Sequence, residues 1–267
     1  HESDPGRRGP ATDAVTQAPD LHFADLARGL LSALAGVALP SAPALPLRQG
    51  ALRPPAVRQP PHRRVVVNVN SGIMCLERRL PPAVFRDLMQ GLAGAADVEF
   101  HLIGDRREAA YTAQFATTLP AGLRVANRAG QLDLSGVLGL LRDADLLISN
   151  DTGPVHLAAA VGTPTLAVFG PESPARFGPR GRVSTVIWGR MPCGPCLTAA
   201  NRKTAPCHGD NRCLQQLTAA DLLPAALELL GGRGRGVHSV SPRLAPPPGT
   251  AADENPGACQ ARTGVTR

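Results

Sequence analysis

At 267 residues the chain is longer than one hydrophobic core needs, and its 28 glycines and 27 prolines gather outside the periodic region, so one folded domain with two loose ends is expected. The net charge of +7 invites a nucleic-acid reading, yet Lys203 is the only lysine, and the arginines are scattered into the tail at Arg233, Arg235, Arg243 and Arg267. With one Trp and one Tyr there is almost no aromatic interleaving for stacking on bases, so nucleic acid is set aside as a partner; the basic charge is left to attract phosphorylated donors or an anionic membrane face at long range.

The apolar stretch from Gly29 to Leu39, with Ser41-Ala42-Pro43-Ala44 behind it, imitates a signal-peptide core. Acidic residues precede it, however, and Pro40, Pro43 and Pro46 cut it too short for a membrane span. The stretch 48–64, rich in Pro and Arg, reads as a linker. Val65-Val66-Val67-Asn68-Val69 is predicted as a strand, and Phe85, Leu88, Met89 and Leu92 recur at helical spacing behind Pro81-Pro82, a favourable helix start. A second strand is expected over Phe100 to Ile103, a helix over Glu108 to Phe115, a short third strand near Leu123 to Ala126, and a third helix on Leu134, Val137, Leu138 and Leu141. Leu146 to Ser149 and Thr165 to Phe169 are two more strands. The last helix begins at Thr218 with Asp221 placed as in a capping box, turns Leu222, Ala226 and Leu229 to one side, and carries Pro224 as an expected kink. From 232 to 267 little can be buried, and a disordered tail is expected.

Such alternation needs crossover connections, so the fold class is α/β: a Rossmann-like, doubly wound parallel sheet with helices on both faces. Its ligands lie at the C-terminal ends of the strands. There Asn70-Ser71-Gly72, Gly104-Asp105, Asp151-Thr152-Gly153 and Gly170-Pro171-Glu172 are expected to converge on one cleft.

The junction from Leu146 to His156 is the most informative. A run suited to a strand covered on both faces passes without a gap into a helix start carrying polar groups, where α/β folds bind phosphates. Asp151 and Thr152 are expected to cap that helix and leave other amide donors open; Gly153 admits a close approach, and His156 lies about one turn from Thr152 on the same face. The plainer alternative is that Asp151 only caps and His156 is a satisfied surface histidine.

The run Asn150-Asp151-Thr152-Gly153-Pro154-Val155-His156-Leu157-Ala158-Ala159-Ala160, followed by Gly162-Thr163-Pro164 and Phe169-Gly170-Pro171, resembles glycosyltransferase family 9. Its best-known members are ADP-heptose:lipopolysaccharide heptosyltransferases. The resemblance extends to Gly130, to Ala144-Asp145-Leu146-Leu147, and to Arg78-Arg79-Leu80-Pro81, where the family usually carries Lys-x-Trp-Pro. Downstream it takes in Cys193-Gly194-Pro195-Cys196, Cys207 and Cys213-Leu214. It runs from about 65 to about 230 and corresponds to the C-terminal, donor-binding half of a GT-B-type enzyme whose site lies between two Rossmann-like domains. On this basis 1–64 is a remnant of the N-terminal domain and linker, with its last helix from Leu21-His22-Phe23-Ala24-Asp25 onward; 65–231 is the nucleotide-sugar-binding domain; 232–267 is the tail. His1 is no usual translation start, so the chain reads as a fragment or a truncated gene product.

Moving a sugar off a nucleoside diphosphate requires stabilisation of the departing diphosphate, a positioned sugar, and a base for the acceptor hydroxyl. The resemblance implies that Thr152 and Gly153 bind the diphosphate through hydroxyl and backbone donors, with Ser71 contributing from the facing loop. Arg78, in place of the usual lysine, neutralises phosphate charge bidentately or is a solvated loop arginine. Asp151 holds sugar hydroxyls or fixes the loop, because a carboxylate aimed at diphosphate repels it. His156 donates to phosphate or sugar. Glu108 lies near the position from which the family holds ribose hydroxyls, or is a solvated helix-start glutamate. The family's catalytic base is an aspartate near the start of the missing domain, and none of Asp4, Asp13, Asp20 and Asp25 is assigned to it, so the catalytic residue is unknown.

Cys193, Cys196, Cys207 and Cys213 have a spacing that permits a four-thiolate zinc knot but lacks the second CxxC pair; reduced structural thiols in a cytosolic enzyme are the other reading. No cofactor and no catalytic metal are expected. The resemblance implies an inverting, metal-independent glycosyltransferase that moves a heptose-like sugar from an ADP-sugar to a lipopolysaccharide core acceptor. It implies a cytoplasmic place, with attachment to the inner-membrane surface left open. The alternative is a non-catalytic or truncated nucleotide-sugar-binding module.

Overall fold

Three consecutive valines, Val65 to Val67, have no solvent exposure, which a strand achieves only when both faces of its sheet are covered. The computed structural model describes residues 21–38, 62–72, 75–197, 207, 210–233 and 236–240. In it the valines belong to β1 (Arg63–Asn68), which pairs in parallel with β2 (Val98–Leu102) on one side and β4 (Leu146–Asn150) on the other. Beyond β2 lies β3 (Val125–Asn127); beyond β4 lie β5 (Thr165–Phe169), β6 (Ser184–Trp188) and β7 (Gly236–Ser239). All neighbouring strands are parallel, in the order β3-β2-β1-β4-β5-β6-β7.

Side-chain alternation sorts the strands into two cores. Val65, Val67, Leu146 and Ile148 pack with Phe85 and Leu88 of α2 (Pro82–Ala95) and with Leu222 and Leu229 of α8 (Ala219–Leu230). Val66 and Leu147 face the other way, onto Leu141 of α4 (Leu134–Arg142) and Ala158 of α5 (Gly153–Val161). The remaining helices are α1 (Phe23–Ala35), α3 (Ala109–Thr117) and the short α6 (Pro174–Phe177) and α7 (Arg212–Gln215). After β1 the chain winds outward through β2 and β3, then returns to β4 and winds the other way. The crevice at this reversal, outside the C-terminal ends of β1 and β4, is where such sheets take ligands.

The expected α/β fold is therefore observed, with element ends differing by one or two residues in most cases. Asp221 Oδ2 accepts from the backbone N–H and the hydroxyl of Thr218, both at 2.8 Å, and α8 runs on through Pro224. Two strands add to the expectation. Ser184–Trp188 forms β6 although its neighbours are rich in Gly, Pro and Arg; burial of Val186 and Ile187 holds it. Gly236–Ser239 forms β7 inside the stretch expected to be a disordered tail from 232: the open edge of β6 offers backbone partners to any sequence, and Val240 packs against the larger core. The stretch from 241 and most of the 48–64 linker lie outside the described residues.

The α1 helix is tied to the α6 region by three contacts. His22 Nε2 is 3.0 Å from the Gly178 carbonyl, the Phe23 and Phe177 rings are 6.1 Å apart, and Asp25 pairs with Arg28 and Arg180. Among the described residues no helix is long and apolar enough to cross a membrane.

Two expectations follow. A Cβ on Gly189 would collide with the Cys213 carbonyl oxygen, whereas one on Gly139 in α4 meets nothing within 4 Å. Gly189→Ala is expected to destabilise by about 1–3 kcal/mol or more, and Gly139→Ala to be neutral or stabilising by up to about 1 kcal/mol, read as thermal melts. The guanidinium groups of Arg180 and Arg28 hold the Asp25 carboxyl down at about 2. A lowered carboxylate stabilises above its ordinary pKa and loses that contribution as pH falls toward the folded value. Hydrogen exchange at α1 should hold down to about pH 4 and then rise before that of the sheet; Asp25→Asn should loosen α1 at neutral pH as well. Unchanged α1 protection, both in the Asp25→Asn variant and in the parent protein in acid, would refute the tether.

Candidate functional site

At the reversal point opens a cleft of about 470 Å³, in the size range of small-molecule sites. Loops from five strand ends make it, and Ser71, Arg78, Glu108, Asp151, Thr152, Gly153 and His156 all stand on its wall.

Three buried asparagines fix these loops. Asn150, at the end of β4, donates from Nδ2 to the carbonyls of Val69 (3.1 Å) and Asn70 (3.0 Å), and its Oδ1 accepts the Leu80 N–H at 2.9 Å. Asn70 donates to the Ile103 carbonyl (3.1 Å) and to Thr112 Oγ1 (3.0 Å), tying the loop after β1 to that after β2. Asn68 donates to Ser149 Oγ (3.1 Å) and Thr152 Oγ1 (2.9 Å). A buried amide without partners costs about 1–3 kcal/mol, so each bond is a constraint on loop position.

Thr152 is the N-cap of α5, yet its hydroxyl makes no cap bond and accepts from Asn68 instead; Asp151 does not occupy the cap position. The expectation that both side chains cap α5 is corrected accordingly, because a long-range partner has claimed the threonine. In the first turn Val155 donates to the Thr152 carbonyl at 3.1 Å and Pro154 has no N–H. The Gly153 N–H, on an exposed residue of the cleft wall, donates to no acceptor among the described residues. The turn after β4 thus presents a hydroxyl and an amide to the opening.

Arg78 ends a 3-10 turn, Leu76–Arg78, and reaches toward this corner. Its Nη1 lies 3.6 Å from Asp151 Oδ2 and its Nη2 3.5 Å from the Ser71 carbonyl. Ser71 is buried, and its hydroxyl donates to the Cys75 carbonyl at 3.0 Å, bracing the loop rather than offering a proton to the cleft. Glu108 accepts the Gly72 N–H on Oε1 and the Asp105 N–H on Oε2, each at 3.0 Å, and so latches two loops together. Gly72 has a φ of 72°, a left-handed conformation that suits glycine at this latch. His156 is exposed at the cleft mouth; its pKa is lowered, first by the desolvation of its crowded position and then by the charge of His22.

Among the described residues Arg78 is the only arginine or lysine on the wall, against five carboxylates: Asp105, Glu108, Asp133, Asp151 and Glu172. Most are locally neutralised by amides. Asp105 accepts from the Arg107 and Glu108 N–H groups and Asp133 from that of Gly136. Glu172, buried in the loop after β5, was expected only as part of the Gly170-Pro171-Glu172 loop, and Asn68 was not singled out from sequence. The available signal for Asn68 was a polar residue closing an apolar strand on the ligand side of the sheet.

The cysteines gather nearby. Burial, then the proximity of Cys207 and Cys193, pushes the Cys213 thiol up to about 12; burial, then a hydrogen bond to Glu77, pushes Cys75 up to about 11. No disulfide joins the described cysteines, and no group of three or more His, Cys, Asp or Glu side chains among the described residues is arranged to hold a metal ion.

Residues 15–205 match the family model described as glycosyltransferase family 9 (heptosyltransferase). The chain is 42% identical over 82 residues to lipopolysaccharide heptosyltransferase 1 of Pseudomonas aeruginosa, a match covering 31% of this chain and 23% of that protein. Among solved structures it is similar to a family 9 glycosyl transferase from Veillonella parvula (TM-score 0.60, 18% identity, 82% of this chain and 63% of that one). It is also similar to the ADP-heptose LPS heptosyltransferase II of E. coli (TM-score 0.54, 20% identity, 64% of this chain and 47% of that one). The chain thus matches about a quarter of the length of the Pseudomonas relative and about half of the E. coli structure.

The carboxylate latch is open to direct measurement. Glu108→Ala is expected to destabilise the fold by about 1–3 kcal/mol and to raise hydrogen exchange at the Gly72 and Asp105 amides while leaving β5 and β6 protected. Exchange at those two amides equal to that of the parent protein would show that the latch holds nothing.

Proposed function

The chain belongs to glycosyltransferase family 9, and from that premise we propose that its cleft binds the nucleoside diphosphate of an ADP-sugar, for transfer of a heptose-like sugar to a lipopolysaccharide core acceptor. The observation that carries the proposal is the corner where the Thr152 hydroxyl, the Gly153 amide and the Arg78 guanidinium meet at the start of α5. These are donors of the kind that hold a diphosphate: a helix N-terminus, a hydroxyl and a planar cation.

In the proposed reaction the acceptor hydroxyl oxygen attacks the anomeric carbon from the face opposite the diphosphate, and the bond from that carbon to the phosphate oxygen breaks with inversion. ADP departs with the electron pair, and the acceptor proton passes to a base. Arg78, Thr152 and Gly153 stabilise the charge that grows on the leaving oxygen without a divalent metal. Asp151, beside Arg78, orients the guanidinium and accepts sugar hydroxyls. Leu134 and Val137 of α4 supply an apolar flank suited to the flat face of a base. Glu108, already bonded to two backbone amides, shapes the loop that meets the ribose.

Asp25 is a poor candidate for the base, since its arginine partners hold it at about 2. Asp4, Asp13 and Asp20 lie outside the described residues. The low value of Asp25 favours a second reading in which the chain alone is a nucleotide-sugar-binding module and turnover requires further residues. The acceptor's place would be the inner-membrane surface.

Calorimetry with ADP tests the donor site. Binding is expected, and Arg78→Ala should weaken it about 10- to 100-fold, the loss of a charge-assisted hydrogen bond. A folded protein that takes up no ADP would overturn the proposal. Release of ADP from ADP-heptose in the presence of a core acceptor separates the enzyme from the binding module.

A further inference from the structure

We infer that Asn68 is a positioning residue that sets the polarity of the Thr152 hydroxyl, turning it into an obligate donor toward an anionic oxygen in the cleft. The inference rests on the diphosphate reading above and adds the residue that makes that corner selective for anions.

Three hydroxyls in this region accept a hydrogen bond from a buried asparagine Nδ2. Ser149 Oγ accepts from Asn68 and passes its own proton to the Asn150 carbonyl at 2.7 Å. Thr112 Oγ1 accepts from Asn70 and passes its proton to the Glu108 carbonyl at 3.0 Å. Thr152 Oγ1 accepts from Asn68 at 2.9 Å, and among the described residues no acceptor takes its proton; the residue stands on the cleft wall. The first two chains end inside the protein, and the third ends in the opening.

A hydroxyl carries one proton and can rotate to suit its neighbours. With an N–H aimed at one lone pair, rotation toward Asn68 is closed, and the O–H is turned away from the sheet into the cleft. Asn68 is 3% exposed, and its orientation is fixed from the other end: its Oδ1 accepts the Asn70 N–H at 3.2 Å, which leaves Nδ2 no choice but to face Ser149 and Thr152. Successive bonds of this kind polarise one another, so the terminal O–H is a stronger donor than an isolated threonine. A ligand oxygen with no proton to give fits this corner; a sugar or ribose hydroxyl meets it only as an acceptor.

The test is a double-mutant cycle on the whole chain, with ADP binding by calorimetry and adenosine binding by displacement of ADP. Asn68→Asp keeps the shape but replaces the donor by an acceptor, so the threonine O–H turns back toward the sheet. ADP affinity is expected to fall by more than about tenfold, with adenosine affinity changed less than about twofold. In the Thr152→Val background the same substitution should cost ADP little more, whereas Thr152→Ser should restore the full dependence on Asn68. Should Asn68→Asp fail to fold, Asn68→Ala, which removes the donor without adding charge, is expected to weaken ADP in the same Thr152-dependent way. Equal losses for ADP and adenosine, or effects of Asn68 and Thr152 that simply add, would overturn the inference. If the parent protein binds ADP and both Asn68 variants bind it as tightly, only the inference falls; if the parent binds none, the diphosphate reading falls and takes the inference with it.

Discussion

A side-chain amide sealed inside a sheet must find partners for its N–H and C=O groups, and this requirement, applied to Asn68, Asn70 and Asn150, sets the geometry of the cleft. All three sit at or just beyond the C-terminal ends of β1 and β4, almost wholly buried. Their partners are loop carbonyls, the Leu80 amide, and the hydroxyls of Ser149 in β4, Thr112 in α3 and Thr152 at the start of α5. The loops after β1, β2 and β4 are therefore held by the sheet itself. Donors fixed in this way are in place before a ligand arrives, and little ordering entropy is lost on binding. Glu108 extends the same device outward by bonding to the amides on either side of the opening.

The doubly wound sheet is legible in the sequence because its inner strands are buried on both faces. Val65-Val66-Val67 and Leu146-Leu147-Ile148 need no alternation, and the helices between them do. Given that topology, the loops bearing Ser71, Glu108 and Thr152 must meet, whatever their distance in the chain. What local pattern cannot disclose is the partner of each polar atom. The Thr152 hydroxyl looks like an N-cap from its neighbours, yet its partner lies 84 residues earlier. Ser71 looks like a ligand donor, but its proton is committed to Cys75 four residues on. Asn68 looks like a flaw in an apolar strand. The outer strands escaped for a different reason: β6 is short and set in loop-like sequence, and β7 is recruited through its backbone, which carries no compositional mark.

Charge argues in a direction opposite to first impressions. The chain carries +7, and yet among the described residues the cleft wall holds five carboxylates and a single arginine. A phosphate responds to the donors within a few ångströms more than to arginines spread over a screened surface. Asp105, Glu108 and Asp133 point their oxygens at backbone amides, whose dipoles offset much of their field. Asp151 is matched by Arg78 at 3.6 Å. The repulsion of these four acids is thereby confined to short range, and the corner built from α5, Arg78 and Thr152 offers hydrogen-bond donors. On the proposed reading this division suits an ADP-sugar, whose charge is concentrated on the diphosphate while the ribose and the transferred sugar present hydroxyls that donate to carboxylates. A uniformly basic cleft would hold the diphosphate as well but would give those hydroxyls nothing to bond to, so acids beside the anion site serve discrimination rather than affinity.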